Sequence, residues 1–379
     1  MRISVVLGTR PEIIKMAPVV RELDRLGADY FVLHTGQHYS YALDRVFFQQ
    51  LHLPHARHNL EVGSGAHGAQ TAKIIAGAEK VLEQEKPDVI LVEGDTNTVL
   101  GCAIAATKMH ILVGHIEAGL RSYDRRMPEE VNRILTDHCS DYLFAPSEKS
   151  RQTLLSEGIP DEKVFVTGNT IVDAVMQNVD IARGSSGILA RLGLRPRQYF
   201  LATVHRQENV DDRTRFQSIL TGLGQLAREF ELPIIYPVHP RSAARMKEFG
   251  LVPTGVTMIE PVSFLDFLQL ESNACLVLTD SGGVQEETCI LGVPCVTLRD
   301  NTERPETIEV GANVLAGVEA ESIISCSRRM LARTGAWPNP FGDGKAAEKI
   351  INIILEGTRG QGYGDRGTGC GGEAVTSGT

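Results

Sequence analysis

Seven short segments hold the residues on which chemistry could rest. The first, Gly8-Thr9-Arg10-Pro11-Glu12-Ile13-Ile14-Lys15, follows an apolar run. Gly8 permits a tight turn, and Pro11 suits the first position of a helix, where a missing N–H costs nothing. A helix start offers unpaired amides and a positive dipole end. Arg10 and Lys15 would add two charges, which makes a cradle for a phosphate or pyrophosphate. An N-terminal cap flanked by two surface cations would read the same way. In the other half, Thr279-Asp280-Ser281-Gly282-Gly283-Val284-Gln285-Glu286-Glu287 ends a strand and opens a helix. Its Ser281, Gly282 and Gly283 amides can approach a phosphate closely, and Glu287, one turn on, can accept from ribose hydroxyls. His205 stands just past the run Leu201–Val204, placed for proton transfer, phosphate contact or plain packing. Arg304, in Asn301-Thr302-Glu303-Arg304-Pro305-Glu306, could face the same anion or decorate a loop.

Three carboxylates complete the set. Asp95 follows the strand-like Val89–Val92 and a glycine turn, and would also serve as a helix cap. Glu117, in His115-Ile116-Glu117-Ala118-Gly119-Leu120-Arg121, ends a strand with no helix start to cap. Glu129 opens the helical stretch Met127-Pro128-Glu129-Glu130-Val131-Asn132-Arg133, where an ion pair with Arg133 four residues on is the plain alternative. Clustered acids repel one another unless something uses them, so three on one ligand-facing rim point to a site. Two anion cradles with acids beside one of them predict a nucleotide-diphosphate ligand between two domains.

The elements that must position these residues are legible as alternation. Short β-branched runs from Ile3–Leu7 to Asn313–Leu315 are separated by helical patterns such as Glu12–Leu26 and Gln70–Glu83. Such alternation builds parallel sheets covered by helices on both faces. The fold class is therefore α/β. Twelve candidate strands in two groups of about six predict two Rossmann-like, doubly wound domains with a cleft between them, rather than one eight-stranded barrel. We expect a first domain over 1–168 bearing the carboxylates and a second over 169–342 bearing the diphosphate site. The last 23 residues hold nine glycines, so 357–379 is expected to be a disordered tail.

Composition bounds the rest. A chain of 379 residues with 42% apolar and 22% charged side chains is ordinary globular material for about two domains. A net charge of −9 argues against nucleic acid or acidic membranes as partners. No apolar run suffices to cross a bilayer, and the start carries no secretion signal, so a cytoplasmic protein is expected. The seven cysteines are scattered, an odd number with no Cys-x-x-Cys, which argues against a disulfide framework, and Cys102, Cys275, Cys289 and Cys295, among apolar neighbours, read as small buried hydrophobes. The histidines of His52-Leu53-Pro54-His55-Ala56-Arg57-His58 read as a solvated loop, since Pro54 breaks any helix that would align them.

Taken in order, the motifs around Gly8–Glu12, Gly94–Thr96, Gly114–Arg121, Pro128–Arg133, Thr279–Glu287 and Thr302–Glu306 resemble those of the non-hydrolysing UDP-N-acetylglucosamine 2-epimerases over about residues 1–356. The resemblance implies a glycosyltransferase-B-like fold whose last helix, 343–356, crosses back to the first domain. It implies interconversion of UDP-GlcNAc and UDP-ManNAc with neither metal nor nicotinamide, and we expect a homodimer. The family route eliminates UDP to a 2-acetamidoglucal and adds it back. By similarity, Asp95, Glu117 and Glu129 are the acid–base groups, and His205 joins them near the departing diphosphate. Arg10, Lys15, Arg133, Arg304 and the Ser281–Gly283 amides hold substrate, Glu287 the ribose, and Phe267 the uracil, although Phe267 reads equally well as core packing. The stretches Gln37–Arg45 and Arg121–Pro128 depart from the common bacterial pattern toward archaeal members, which puts activation by a second substrate molecule in question. Epimerisation of a UDP-2,3-diacetamido uronic-acid sugar, glycosyl transfer and non-catalytic nucleotide sensing are the rivals.

Overall fold

A computed structural model describes residues 1–37, 47–333 and 336–360, with backbone only for the last three. The expectation for the tail therefore lies almost wholly outside the described residues, as does most of Gln37–Arg45. The first half holds seven parallel strands: β1 (Arg2–Leu7), β2 (Asp29–His34), β3 (His58–Asn59), β4 (Val89–Glu93), β5 (Leu112–Ile116), β6 (Tyr142–Ala145) and β7 (Val164–Val166). They lie in the order β3-β2-β1-β4-β5-β6-β7. The second half holds β8 (Phe200–Thr203), β9 (Ile234–Pro237), β10 (Val256–Ile259), β11 (Leu276–Thr279), β12 (Cys295–Thr297) and β13 (Asn313–Leu315), ordered β10-β9-β8-β11-β12-β13. This is the pair of doubly wound sheets expected from the alternation. Strand β3 was not expected: two residues are too few to leave a pattern. Its His58 pairs with Glu85 at 2.7 Å.

Strands buried on both faces explain the near-continuous apolar runs. Alternate residues of one strand serve opposite cores. Ile3, Val5 and Leu7 of β1 join the cluster built by the helix Arg10–Arg25, while Val6 joins Ile74, Ala78 and Leu82 on the other face. In β8, Phe200 and Ala202 face one cluster and Leu201 another.

The strand order reverses between β1 and β4 in one sheet and between β8 and β11 in the other. At such switch points loops leave in opposite directions and open a crevice beyond the strand ends. Gly8–Arg10, Gly94–Asp95, His205 and Asp280–Gly283 all stand there.

The chain passes between the halves twice, and the two passages touch. Gly168 (φ +87°) and Gly342 (φ +121°) take conformations that side chains rarely adopt. A methyl group on Gly168 would sit 3.4 Å from the Phe341 carbonyl. Beside them the Asn169 amide donates to that carbonyl at 2.8 Å. After the second passage the helix Ala346–Gly360 packs on Arg10–Arg25, burying Ile350, Ile351 and Ile354 in the first core. Asp173 accepts its first amides, from Ala346 at 3.2 Å and Ala347 at 3.0 Å.

Candidate active site

Between the two crevices lies a cleft of about 680 Å³. Lys15, Glu93, Asp95 and Glu117 line it from the first half, and Thr302, Glu303 and Arg304 from the second.

Glu117 is the most constrained residue of the wall. Its φ is +68°, a left-handed conformation that costs a non-glycine residue of order 1–3 kcal/mol and persists only where surroundings hold it. Those surroundings are explicit. Lys15 Nζ lies 2.6 Å from Oε1, and Asn169 Nδ2 donates to the same oxygen at 2.8 Å. Burial alone would push this carboxyl up; the Lys15 ammonium and the Arg304 guanidinium outweigh it and hold Glu117 below the usual carboxylate range. Lys15 also reaches Glu93 at 3.1 Å. Burial raises Glu93 well above its ordinary value despite that cation, so the two neighbouring carboxyls are pushed in opposite directions. Lys15, read from the sequence as an anion contact, is thus occupied by carboxylates.

Asp95 is held by Arg133, whose Nη2 and Nε lie 2.6 and 3.0 Å from Oδ2. Arg133 Nη1 in turn donates to Glu130 at 2.7 Å. Glu130, not Glu129, is the acid that the helix Pro128–Cys139 turns inward: it accepts from Ser122 N at 2.9 Å, Ser122 Oγ at 3.0 Å and Tyr123 N at 2.9 Å. Glu129 is half-buried in the first turn, beside the cleft-lining Met127 but not itself on the wall. Beneath the wall, His115 bridges Asp137 (2.7 Å) and the Gly94 carbonyl (2.8 Å), fixing the turn that carries Asp95.

The Gly8 turn rests on Glu12, whose carboxylate accepts from Gly8 N at 2.5 Å, Thr9 N at 3.2 Å and Thr96 Oγ1 at 2.6 Å. One buried side chain therefore ties the β1 turn to the β4 turn, and burial lifts it to about 7. Arg10 does not line the cleft; its guanidinium lies 4.9 Å from the Phe47 ring centroid.

In the second half Asp280, fully buried, organises the loop after β8. It accepts from His205 N at 2.9 Å, Arg206 N at 2.9 Å and Asn209 Nδ2 at 3.1 Å, and lies 3.0 Å from His205 Nδ1. That contact orients the ring through Nδ1 and leaves its other edge partly exposed. Ser281 and Gly282 are half-buried and Gly283 exposed, and a methyl group on Gly282 would meet nothing nearer than 4.0 Å, where Arg206 and Glu303 stand. The Ser281 amide donates to Thr279 Oγ1 at 2.9 Å, and the helix Gly282–Leu291 opens on a turn with room around Gly282. Arg304 pairs with Glu286 at 2.7 Å and lies near enough to Glu117 to lower it. Glu287 sits beside the fully buried Glu271, and burial lifts it to about 7. Phe267 is half-buried against the core that includes Leu270 and Val277.

Sequence reasoning passed over Glu12, Glu93, Glu130, Asn169, Asp280 and Glu286. Glu93 ends a buried strand just as Glu117 does, and that signal could have found it. Among the described residues no cluster of His, Cys, Asp and Glu is arranged to hold a metal ion, and no helix is long and apolar enough to cross a membrane.

Residues 21–355 match the model of the UDP-N-acetylglucosamine 2-epimerase family. A UDP-N-acetylglucosamine 2-epimerase of Methanocaldococcus jannaschii is 52% identical over 364 residues, 94% of this chain and 100% of the relative. Its structure in complex with UDP-GlcNAc and UDP superposes with a TM-score of 0.83, covering 94% of this chain and 100% of that one. A UDP-2,3-diacetamido-2,3-dideoxy-D-glucuronate 2-epimerase of Pseudomonas aeruginosa is 38% identical over 94% of this chain and 100% of its own length. With the family model spanning most of its length and a relative more than half identical from end to end, the chain belongs to the UDP-N-acetylglucosamine 2-epimerase family.

Proposed function

We propose that this protein interconverts UDP-N-acetylglucosamine and UDP-N-acetylmannosamine, by loss of UDP to a 2-acetamidoglucal and its re-addition. The observation that carries this reading is the facing of an ionised, strained Glu117 and an arginine-held Asp95 by Arg304 across one cleft.

The C2 hydrogen of the sugar is not beside a carbonyl, so enolisation is closed to it. Elimination is open: the C1–O bond to UDP breaks, a carboxylate takes the C2 proton, and a C1–C2 double bond remains. Re-addition returns a proton to C2 on the opposite face and the UDP oxygen to C1. The departing diphosphate needs donors, which the Gly282 and Gly283 amides, His205 and Arg304 would supply at about 1.5–3 kcal/mol for each charge-assisted contact. The positive charge that grows on the ring needs anions, and Asp95 and Glu117 meet that need. Glu129 completes the acid–base set by family likeness, one residue from the inward-turned Glu130. By family likeness Glu287 takes the ribose and Phe267 the uracil; Lys15 and Arg133 act through the carboxylates they hold, and Arg10, off the cleft wall against Phe47, is assigned no direct contact.

Purified protein given UDP-GlcNAc in deuterated water, without added metal or acceptor, is expected to form UDP-ManNAc carrying deuterium at C2. Sugar transfer on adding an acceptor, with no deuterium at C2, would replace this reading by a glycosyltransferase. Offering the UDP-2,3-diacetamido uronate beside UDP-GlcNAc measures which sugar the cleft prefers. Gel filtration with light scattering tests the homodimer expected of the chain, and fractionation of cells tests its place in the cytoplasm.

A further inference from the structure

Asn169 opens the helix Thr170–Ser185 at the place where the chain leaves the first half. It is buried, 3% exposed, and every polar group it owns is engaged, its carbonyl accepting from Val172 N at 3.0 Å. Its side-chain oxygen accepts from Ile171 N at 3.0 Å, capping the helix. Its backbone amide donates to the Phe341 carbonyl of the returning chain at 2.8 Å. Its side-chain nitrogen donates to Glu117 Oε1 at 2.8 Å. The orientation of the amide is not arbitrary, because exchanging its oxygen and nitrogen would aim a lone pair at the carboxylate and a donor at a backbone N–H.

Glu117 Oε1 therefore receives two donors, Lys15 and Asn169. Lys15 is shared with Glu93, whereas the Asn169 donor serves Glu117 alone. We propose that Asn169 is a positioning residue of the epimerisation: it fixes Oε1 of Glu117 from the junction of the two halves and leaves Oε2 to exchange the proton at C2. This rests on the proposed function and assigns part of it to a residue that touches no substrate.

The groups facing Glu117 are Lys15 from the helix Arg10–Arg25, Glu93 from β4, and Arg304 with Glu286 from the second half. All of these carry or exchange charge; Asn169 does not, so it can be altered with the ionic cluster left in place. Serine and aspartate both cap helices well. Asn169→Ser keeps the cap and deletes the donor to Glu117. Asn169→Asp keeps the cap and sets a second negative charge beside it. Losing a hydrogen bond to the charged form, or adding a like charge, makes a carboxylate easier to protonate.

The test measures C2 deuterium exchange and turnover from pH 3 to 9 in wild type and both variants, with melting temperature and UDP affinity as controls. The wild type comes first: no exchange there counts against the proposed function and says nothing of Asn169. Given an active wild type, kcat is expected to fall about tenfold in N169S and further in N169D, with KM within about threefold. The acid limb of the kcat profile should move to higher pH in the same order. A carbon-13 titration of labelled glutamate in N169S reads the Glu117 shift without turnover. An unmoved acid limb, or a loss of kcat that merely follows a loss of melting temperature, would overturn the proposal. So would failure of both variants to fold, since the cap and the Glu117 contact would then not be separable.

Discussion

Glu12→Gln should make this protein more resistant to unfolding at alkaline pH, although it removes a side chain with three hydrogen bonds. Glu12 is 2% exposed, so solvent does little to screen it. Burial, only partly offset by Thr96, Gly8 and Thr9, raises its carboxyl from 4.5 to about 7. A folded value above the unfolded one means that the native state favours the protonated form. Its contribution is then fully present below about pH 4.5 and is lost as pH rises through about 7. At about 1.4 kcal/mol per pH unit, that displacement is worth about 3 kcal/mol. Glutamine reproduces the neutral acid: its oxygen can accept from Gly8 and Thr9, and its amide can donate to Thr96 Oγ1. The variant should match wild type within about 1 kcal/mol at pH 5 and exceed it by up to about 3 kcal/mol at pH 8. For a unit of 150–250 residues, at about 2–4 °C per kcal/mol, the gap is about 6–12 °C in melting temperature. Melts of both proteins from pH 5 to 8 read it, and taking the difference cancels every other titrating group. A gap that stays constant with pH, or a variant less stable at pH 8, would refute the reasoning.

Asp95→Asn, Glu117→Gln and Glu129→Gln are each expected to cut turnover by roughly 10²–10⁴-fold while UDP still binds, as steady-state kinetics and calorimetric titration would read; unchanged turnover in all three removes the acid–base assignment. Asp280→Ala strips the buried Asn209 amide and two backbone amides of their acceptor, and should cost about 3–5 kcal/mol in denaturant unfolding as well as weaken UDP binding. Gly119→Ala places a methyl group against the Ser150 carbonyl at φ +81°, a conformation costing about 1–3 kcal/mol before the clash, so its melting point should drop by several degrees.

How much of this could be read from residues alone depended on whether the signal was local. Val89–Val92 was legible as a strand because a parallel strand buried on both faces must be apolar throughout. Glu117 stood out because it ends such a strand with no helix to cap. Glu93 escaped because its four apolar predecessors make it look like the tail of a core segment. The meaning of Lys15 was not legible at all: whether an ammonium faces a phosphate or two carboxylates depends on residues about 80 and 100 positions away. Glu129 and Glu130 show a finer limit. Both are acids in a first turn, and only the rotation of the helix on its sheet decides which one turns to the Ser122–Tyr123 loop. The contact of Asn169 with Phe341 spans more than 170 residues and leaves no trace in either neighbourhood.

Two strands of backbone running side by side through Gly168 and Gly342 leave the halves fewer ways to move than a single tether would. The covers of a book share this restriction: they swing about the spine but do not twist across it, and here a twist would shear the bond from Asn169 to Phe341. A swing about this spine would carry Arg304, which in this structure already stands close enough to lower Glu117, along an arc to or from that carboxylate.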